Sequence, residues 1–212
     1  MTYLYNFIYK FSWLAITSLC LLLFSITIIY LNFKPDVNFL LTKQSLVHHP
    51  IWIKVFYIHI ISAMIVIFIG PFQFIQSLRR KYIKLHKLLG KMYVFLILFL
   101  AAPSGIYMSF YANGGVYASI GFLIMGILWF YTTYMAFYRI IKKDVKAHIK
   151  WMIRSFALSL AAVTLRLLVP ILSLGFDMEH QFIVVITAWL SWIINIIIAE
   201  CIIYLHPPSL TI

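Results

Sequence analysis

A bundle of membrane-spanning α-helices is the fold class this sequence predicts, and three observations predict it. Only 10% of the 212 residues are charged and 64% are hydrophobic, whereas a soluble domain carries about a quarter charged residues. Six separate apolar stretches each reach the roughly 20 residues a helix needs to cross a ~30 Å hydrocarbon core. Positive charge gathers in alternate connections between those stretches, as it does when successive loops lie on opposite sides of a membrane.

The first span is expected over 11–33. Lys10 followed by apolar residues could open a secretory signal, but the stretch Phe11 to Phe33 is too long for a signal core and holds no small-x-small cleavage site. The second span is expected over 55–76, the third over 92–112, the fourth over 115–138, the fifth over 155–176 and the sixth over 182–205. Between spans two and three lie Arg79, Arg80, Lys81, Lys84, Lys87 and Lys91; between four and five lie Arg139, Lys142, Lys143, Lys146, Lys150 and Arg154. These two basic hairpins hold twelve of the seventeen Lys and Arg, so the positive-inside rule predicts that both are cytoplasmic and that both termini are too. The other side is poorer in charge, with Lys34, Lys43 and Lys54 in the first loop and the acidic pair Asp177 and Glu179 in the fifth. Asn113-Gly114-Gly115 supplies the positive φ angles of a tight turn, making spans three and four antiparallel neighbours. No soluble domain interrupts the chain, so residues 1–212 read as one integral membrane domain.

The net charge of +12 would suggest nucleic acid in a soluble protein. Placed between spans, it points to anionic lipid headgroups and not to nucleic acid. Cys20 and Cys201 each lie inside an apolar segment without paired or metal-type spacing, and they say nothing about redox compartment. Spans two and three with their hairpin share orientation with spans four and five and theirs, and Lys84-x-His86 and Lys146-x-His148 are 62 residues apart. Internal duplication and convergence on positive-inside charge both account for that.

Ionisable groups within spans are costly and default to functional hypotheses, and His59, Arg166 and Glu200 qualify. At 1.5 Å per residue, His59 lies about 25 Å from the cytoplasmic side, Arg166 about 17 to 21 Å and Glu200 about 7 Å. His59 and Arg166 are therefore predicted neighbours in the outer half, and Glu200 is left to the basic hairpins. Helical phase puts His148, Ser155, Ser159, Ala162 and Arg166 on one face, and His59, Ala63, Val66, Gly70 and Gln73 on another, interrupted by Gly70-Pro71. Two such stripes read either as a shared polar or cofactor-holding cleft or as close packing of small residues. Arg166 reads either as a functional cation or as a structural one satisfied by carbonyls or by snorkelling. Trp189 and Trp192 read as aromatic-belt anchors.

His86 and His148 precede their apolar runs by similar distances and so reach one depth on two helices of like orientation. That arrangement suits bis-imidazole ligation of a b-type haem, or of another metal, although contact with headgroups also explains it. No His-Glu-x-x-His, Gly-x-Ser-x-Gly, phosphate-binding glycine loop or Cys-x-x-Cys-His occurs, so hydrolytic and phosphoryl-transfer chemistry has no visible apparatus.

Four segments carry a resemblance: Gly70-Pro71-Phe72-Gln73-Phe74, Leu85 to Tyr93, His148 to Ser155, and Ala161-Ala162-Val163-Thr164-Leu165-Arg166. Together they resemble the bacterial predicted membrane proteins of domain-of-unknown-function family 2306, over roughly residues 55 to 200. The resemblance implies a multi-pass helical protein, marks His59, Gln73, His86, His148, Trp151 and Arg166 as motif positions, and supplies no substrate. Lys87 stands where the pattern usually has Arg, which keeps the charge and loses the planar fork. The histidines on antiparallel spans look somewhat like the two-haem cytochrome b561 and ferric-reductase class, an architectural analogy only.

The functional expectation that follows is haem-b-dependent transmembrane electron transfer with His86 and His148 as ligands, His59 as outer ligand or quinone contact, and Arg166 as partner to an anionic group. The rivals are a small-molecule or proton transporter using His59, Arg166 and Gln73, and a non-catalytic assembly or lipid-interacting protein.

Overall fold

The computed structural model describes residues 2–176 and 178–205. Asp177, half of the acidic pair expected in the fifth loop, lies outside the described residues. The described residues form an all-α structure without strands, and six stretches are long and apolar enough to cross a membrane: Phe11–Asn32, Pro50–Phe74, Ile83–Ser109, Gly115–Ile141, Val145–Gly175 and His180–Leu205.

Span one is helix α1 (Thr2–Thr27) finished by a 3₁₀ turn, Ile28–Asn32. The first loop contains a second 3₁₀ turn, Asn38–Lys43, and a single turn of helix, α2 (Gln44–Val47). Span two is α3 (Pro50–Ile69), opened by Pro50 at its first position and by His49, whose ring accepts from the Trp52 N–H. It does not run on as α-helix through Gly70-Pro71. A 3₁₀ turn, Pro71–Phe74, replaces the last turn, and helix α4 (Gln76–Lys81) carries Arg79, Arg80 and Lys81.

Span three is α5 (Ile83–Phe95), a π-helical segment Leu96–Ala101, and α6 (Ala102–Ser109). Pro103 explains the wide turn, because its ring would collide with the carbonyl of Phe99 and it has no N–H to offer. Gly114 and Gly115, at φ 89° and 70°, make the predicted tight turn into α7 (Gly115–Ile141), the fourth span. Span five is broken in two: α8 (Val145–Ser159) and α9 (Ala161–Gly175) meet at Leu160. The Ser159 hydroxyl donates to the Ser155 carbonyl, a bond that loosens the ladder just where the helix bends. Helix α10 (His180–Leu205) is span six.

Three helices start well before their apolar runs, at Pro50, Ile83 and Val145 in place of 55, 92 and 155. An apolar run marks only the part in hydrocarbon, while a helix, whose backbone satisfies itself, continues through the headgroup layer. His86 and His148 therefore sit on the first turns of α5 and α8, with Asp144 capping the latter by accepting from the Ala147 N–H. The outer faces are strongly apolar and bare, Leu174 at 90% exposure and Phe99 at 66%, as lipid contact requires. Tyr93, Ile97, Trp129, Leu158 and Trp192 are central to the main core, and a second cluster of Tyr30, Leu40, Val47, Trp52 and Phe56 closes the end opposite the basic hairpins.

Candidate functional site

The chemistry-bearing residues fall into two groups at opposite ends, separated by a buried knot of hydroxyls. The first group surrounds a cavity of about 430 Å³ whose walls include His59, Gly105, Trp129, Ala162, Arg166 and Ser191. Its rim holds Phe39, Thr42, Asn113 and His180, so it opens on the side away from the basic hairpins. His59 is nine residues from the start of α3 and Arg166 nine from the end of α9, which puts both about 13 to 14 Å below that rim. His59 and Arg166, expected as neighbours in the outer half, line one cavity.

His59 is fixed by donation from Nδ1–H to the Ala101 carbonyl at 2.9 Å, which leaves Nε2 of the neutral ring as an acceptor. The ring packs so closely on Gly105 that a Cβ there would stand 2.9 Å from His59 Cε1. Arg166 is exposed and lines the cavity. Its guanidinium donates to the Ala162 carbonyl at 3.0 Å. Two further polar groups on the wall, Trp52 Nε1 and Ser191 Oγ, are buried without a hydrogen-bond partner.

The first loop lies across the mouth. The Lys43 ammonium donates to the Tyr111 carbonyl at 2.5 Å and the Asn113 amide donates to Thr42 Oγ1 at 3.1 Å, fastening the loop to the turn between spans three and four. Burial pushes the Lys43 ammonium below its usual pKa range.

Below the cavity, Tyr93 OH bonds to Ser155 Oγ at 3.1 Å and to Ser159 Oγ at 2.9 Å, and Thr133 bonds to Ser155 at 2.7 Å. Trp129 both lines the cavity and donates its indole N–H to Ser159 at 3.0 Å, so the knot is the cavity's floor. Tyr93 and Ser155 are 62 residues apart, the spacing of His86 and His148. The stripe expected from His148 through Ser155 and Ser159 to Arg166 is thus not one surface. The serines are turned into the core, and the break at Leu160 gives α9 a new phase. Asn195, which sequence reasoning passed over, accepts from Thr164 and donates to the Ala157 carbonyl, joining α10 to span five.

The second group lies at the basic end. His148 donates from Nδ1–H to the Ala136 carbonyl at 2.8 Å, and His86 Nδ1 is buried without a partner. Neither lines that cavity, and among the described residues no three His, Cys, Asp or Glu side chains gather as a metal site. Arg154 forms a bidentate pair with Glu200 at 2.5 and 2.8 Å and stacks on Trp151, which is the hairpin contact expected of Glu200.

Gln73 does not share the His59 stripe. It is buried fourteen residues farther along, beyond the end of α3, with Oε1 3.1 Å from where a Gly90 Cβ would stand and Nε2 unpartnered. Trp192 is not a belt anchor, being 8% exposed within the main core; Trp189 is half-buried and donates to the Tyr117 carbonyl. Sequence reasoning missed Trp52, Gly105 and Ser191. The small-residue run Ala101-Ala102-Pro103-Ser104-Gly105 was the signal that something bulky, here His59, packs on span three.

The family described as predicted membrane protein (DUF2306) matches residues 56–203, which is most of the chain, so the chain belongs to that family. No curated protein and no solved structure matches it.

Proposed function

We propose, because membership of this family supplies a fold and no activity, that function resides in the His59–Arg166 cavity and that the protein is a small-molecule-binding membrane protein of the transporter kind. The observation that carries the reading is Arg166: a guanidinium in an apolar cavity whose hydrogen-bond partner is one backbone carbonyl. A cation so placed is costly unless a ligand completes its coordination. The cavity volume lies within the ~300–1,000 Å³ usual for small-molecule sites. With the basic hairpins cytoplasmic and in contact with anionic headgroups, the cavity opens to the outside of a bacterial inner membrane. Native mass spectrometry of the protein released from membranes tests this. A bound small molecule is expected on the wild type and lost on Arg166→Ala; its equal retention on that variant removes the reading.

A second reading, b-type haem ligation by His86 and His148 in an electron-transfer protein with a quinone or other redox partner, is supported by one observation. The bond from His148 Nδ1–H to Ala136 holds the ring in the tautomer that frees Nε2 for a metal. Haem would add one-electron chemistry at the basic end. Visible spectra after haem-replete expression test it, and the absence of a Soret band in oxidised and reduced protein refutes it.

A further inference from the structure

The charge balance of the cavity identifies its ligand more narrowly. Among the described residues, no Asp or Glu lines the wall, and Arg166 is in no ion pair. The two orphaned groups elsewhere on the wall, Trp52 at 1% and Ser191 at 0% exposure, are an indole N–H that can only donate and a hydroxyl that can. The remaining wall is largely apolar, with Leu165, Val169 and Phe122. A guanidinium held away from bulk water gains most from an anion that accepts two of its hydrogen bonds at once, as carboxylates and phosphates do.

We propose that the ligand is a single-chain amphipathic anion, its carboxylate or phosphate head on Arg166 and its chain along the apolar wall, with Trp52 and Ser191 donating to further oxygen acceptors. This rests on the reading of the cavity as a small-molecule site and adds the ligand class. It also gives the first loop a role. Phe39, Thr42 and Trp52 lie outside the residues 56–203 matched by the family, yet they line the same cavity as His59 and Arg166. The family portion supplies the charge that holds the head, and the preceding segment supplies part of the mouth through which the chain must pass.

The test is binding of radiolabelled decanoate to the full chain in phosphatidylcholine nanodiscs, with empty discs subtracted. Saturable binding is expected, displaced by unlabelled decanoate or decyl phosphate, at least ~tenfold less well by decanol, and not by decyltrimethylammonium. The relative strength of the first two competitors separates a carboxylate head from a phosphate head. Arg166→Gln is expected to weaken decanoate by at least ~tenfold, Arg166→Lys by less because the charge remains, and Cys201→Ser, on the lipid-facing side of α10, not at all. Melting temperatures of the three variants in detergent control for folding, and Arg166→Lys carries the test if Arg166→Gln does not fold. Decanol competing as well as decanoate overturns the anion assignment and leaves the cavity reading standing. Absence of saturable decanoate and decyl phosphate binding overturns the ligand class. If native mass spectrometry then still shows an Arg166-dependent molecule, only the class has failed; if it does not, both readings fall.

Discussion

Alanine at Gly105 separates the stability of the bundle from the function of its cavity. The added Cβ would stand 2.9 Å from His59 Cε1 and 3.2 Å from Nδ1, where ordinary contact needs about 3.5 Å or more. The ring must therefore retreat by roughly 0.5 Å, and the only yielding direction is toward the cavity, away from the Ala101 carbonyl it now reaches at 2.9 Å. Stretched to about 3.4 Å, that bond loses most of its ~0.5–1.5 kcal/mol. Opposing this, alanine within α6 gains up to about 1 kcal/mol of helix propensity over glycine. The two terms nearly cancel, so SDS-titration midpoints in detergent should place the variant within about 1 kcal/mol of wild type. Ligand occupancy should not be spared, because the displaced ring both narrows the cavity and misplaces Nε2. A weakening of about fivefold, corresponding to ~1 kcal/mol, is expected in decanoate binding. Unchanged binding with unchanged stability would show that His59 does not shape the site, and the reasoning from Gly105 would be refuted.

Gly70→Ala should behave differently, since its Cβ would meet the Phe156 ring at 2.5 and 2.8 Å and Phe156 is itself packed on Phe74; a loss of about 1–3 kcal/mol is expected, restored in large part by Phe156→Leu in a double-mutant cycle. Glu200→Gln should cost about 1 kcal/mol in low salt and less at 1 M salt, because the pair with Arg154 is charge-assisted but partly exposed. Lys43 gives a pH prediction. Its pKa is lower folded than unfolded, so between the two values the unfolded chain holds the extra proton, and stability should rise with pH up to the ordinary lysine pKa near 10.5. Lys43→Met should abolish that rise while leaving the Tyr111 carbonyl without its donor, and a slope identical to wild type in pH-dependent melting would count against the buried contact.

What was legible in the sequence was what depends on one coordinate, the distance along a helix. Span number and the alternation of charge follow from apolar length and from the basic residues, and the placement of His59 and Arg166 in the outer half follows from counting residues at a constant rise. Angular position was less legible, because it accumulates error at every interruption of the ladder. The change from α to 3₁₀ geometry at Gly70-Pro71 carries Gln73 off the His59 face, and the bend at Leu160 separates Ser155 and Ser159 from Arg166. Neither serine looks unusual for a small residue at a helix crossing. Their role emerges only when Tyr93, Thr133 and Trp129 from two other spans arrive beside them. Trp52 escaped notice for a related reason: its partners Tyr30, Leu40 and Phe56 lie in three different segments, brought together by the first loop folding over the mouth.

The position of the two helix interruptions limits how the cavity works. The π-helical segment Leu96–Ala101 and the break at Leu160 both lie at the level of the hydroxyl knot, directly beneath Arg166 and His59. Buried hydroxyls at that depth bond one another and nearby backbone carbonyls, so opening the floor would expose Tyr93, Ser155 and Trp129 together, at a cost that an apolar ligand cannot offset. Irregular backbone at mid-membrane is tolerated where it lines a cavity, and it is also where membrane helices hinge.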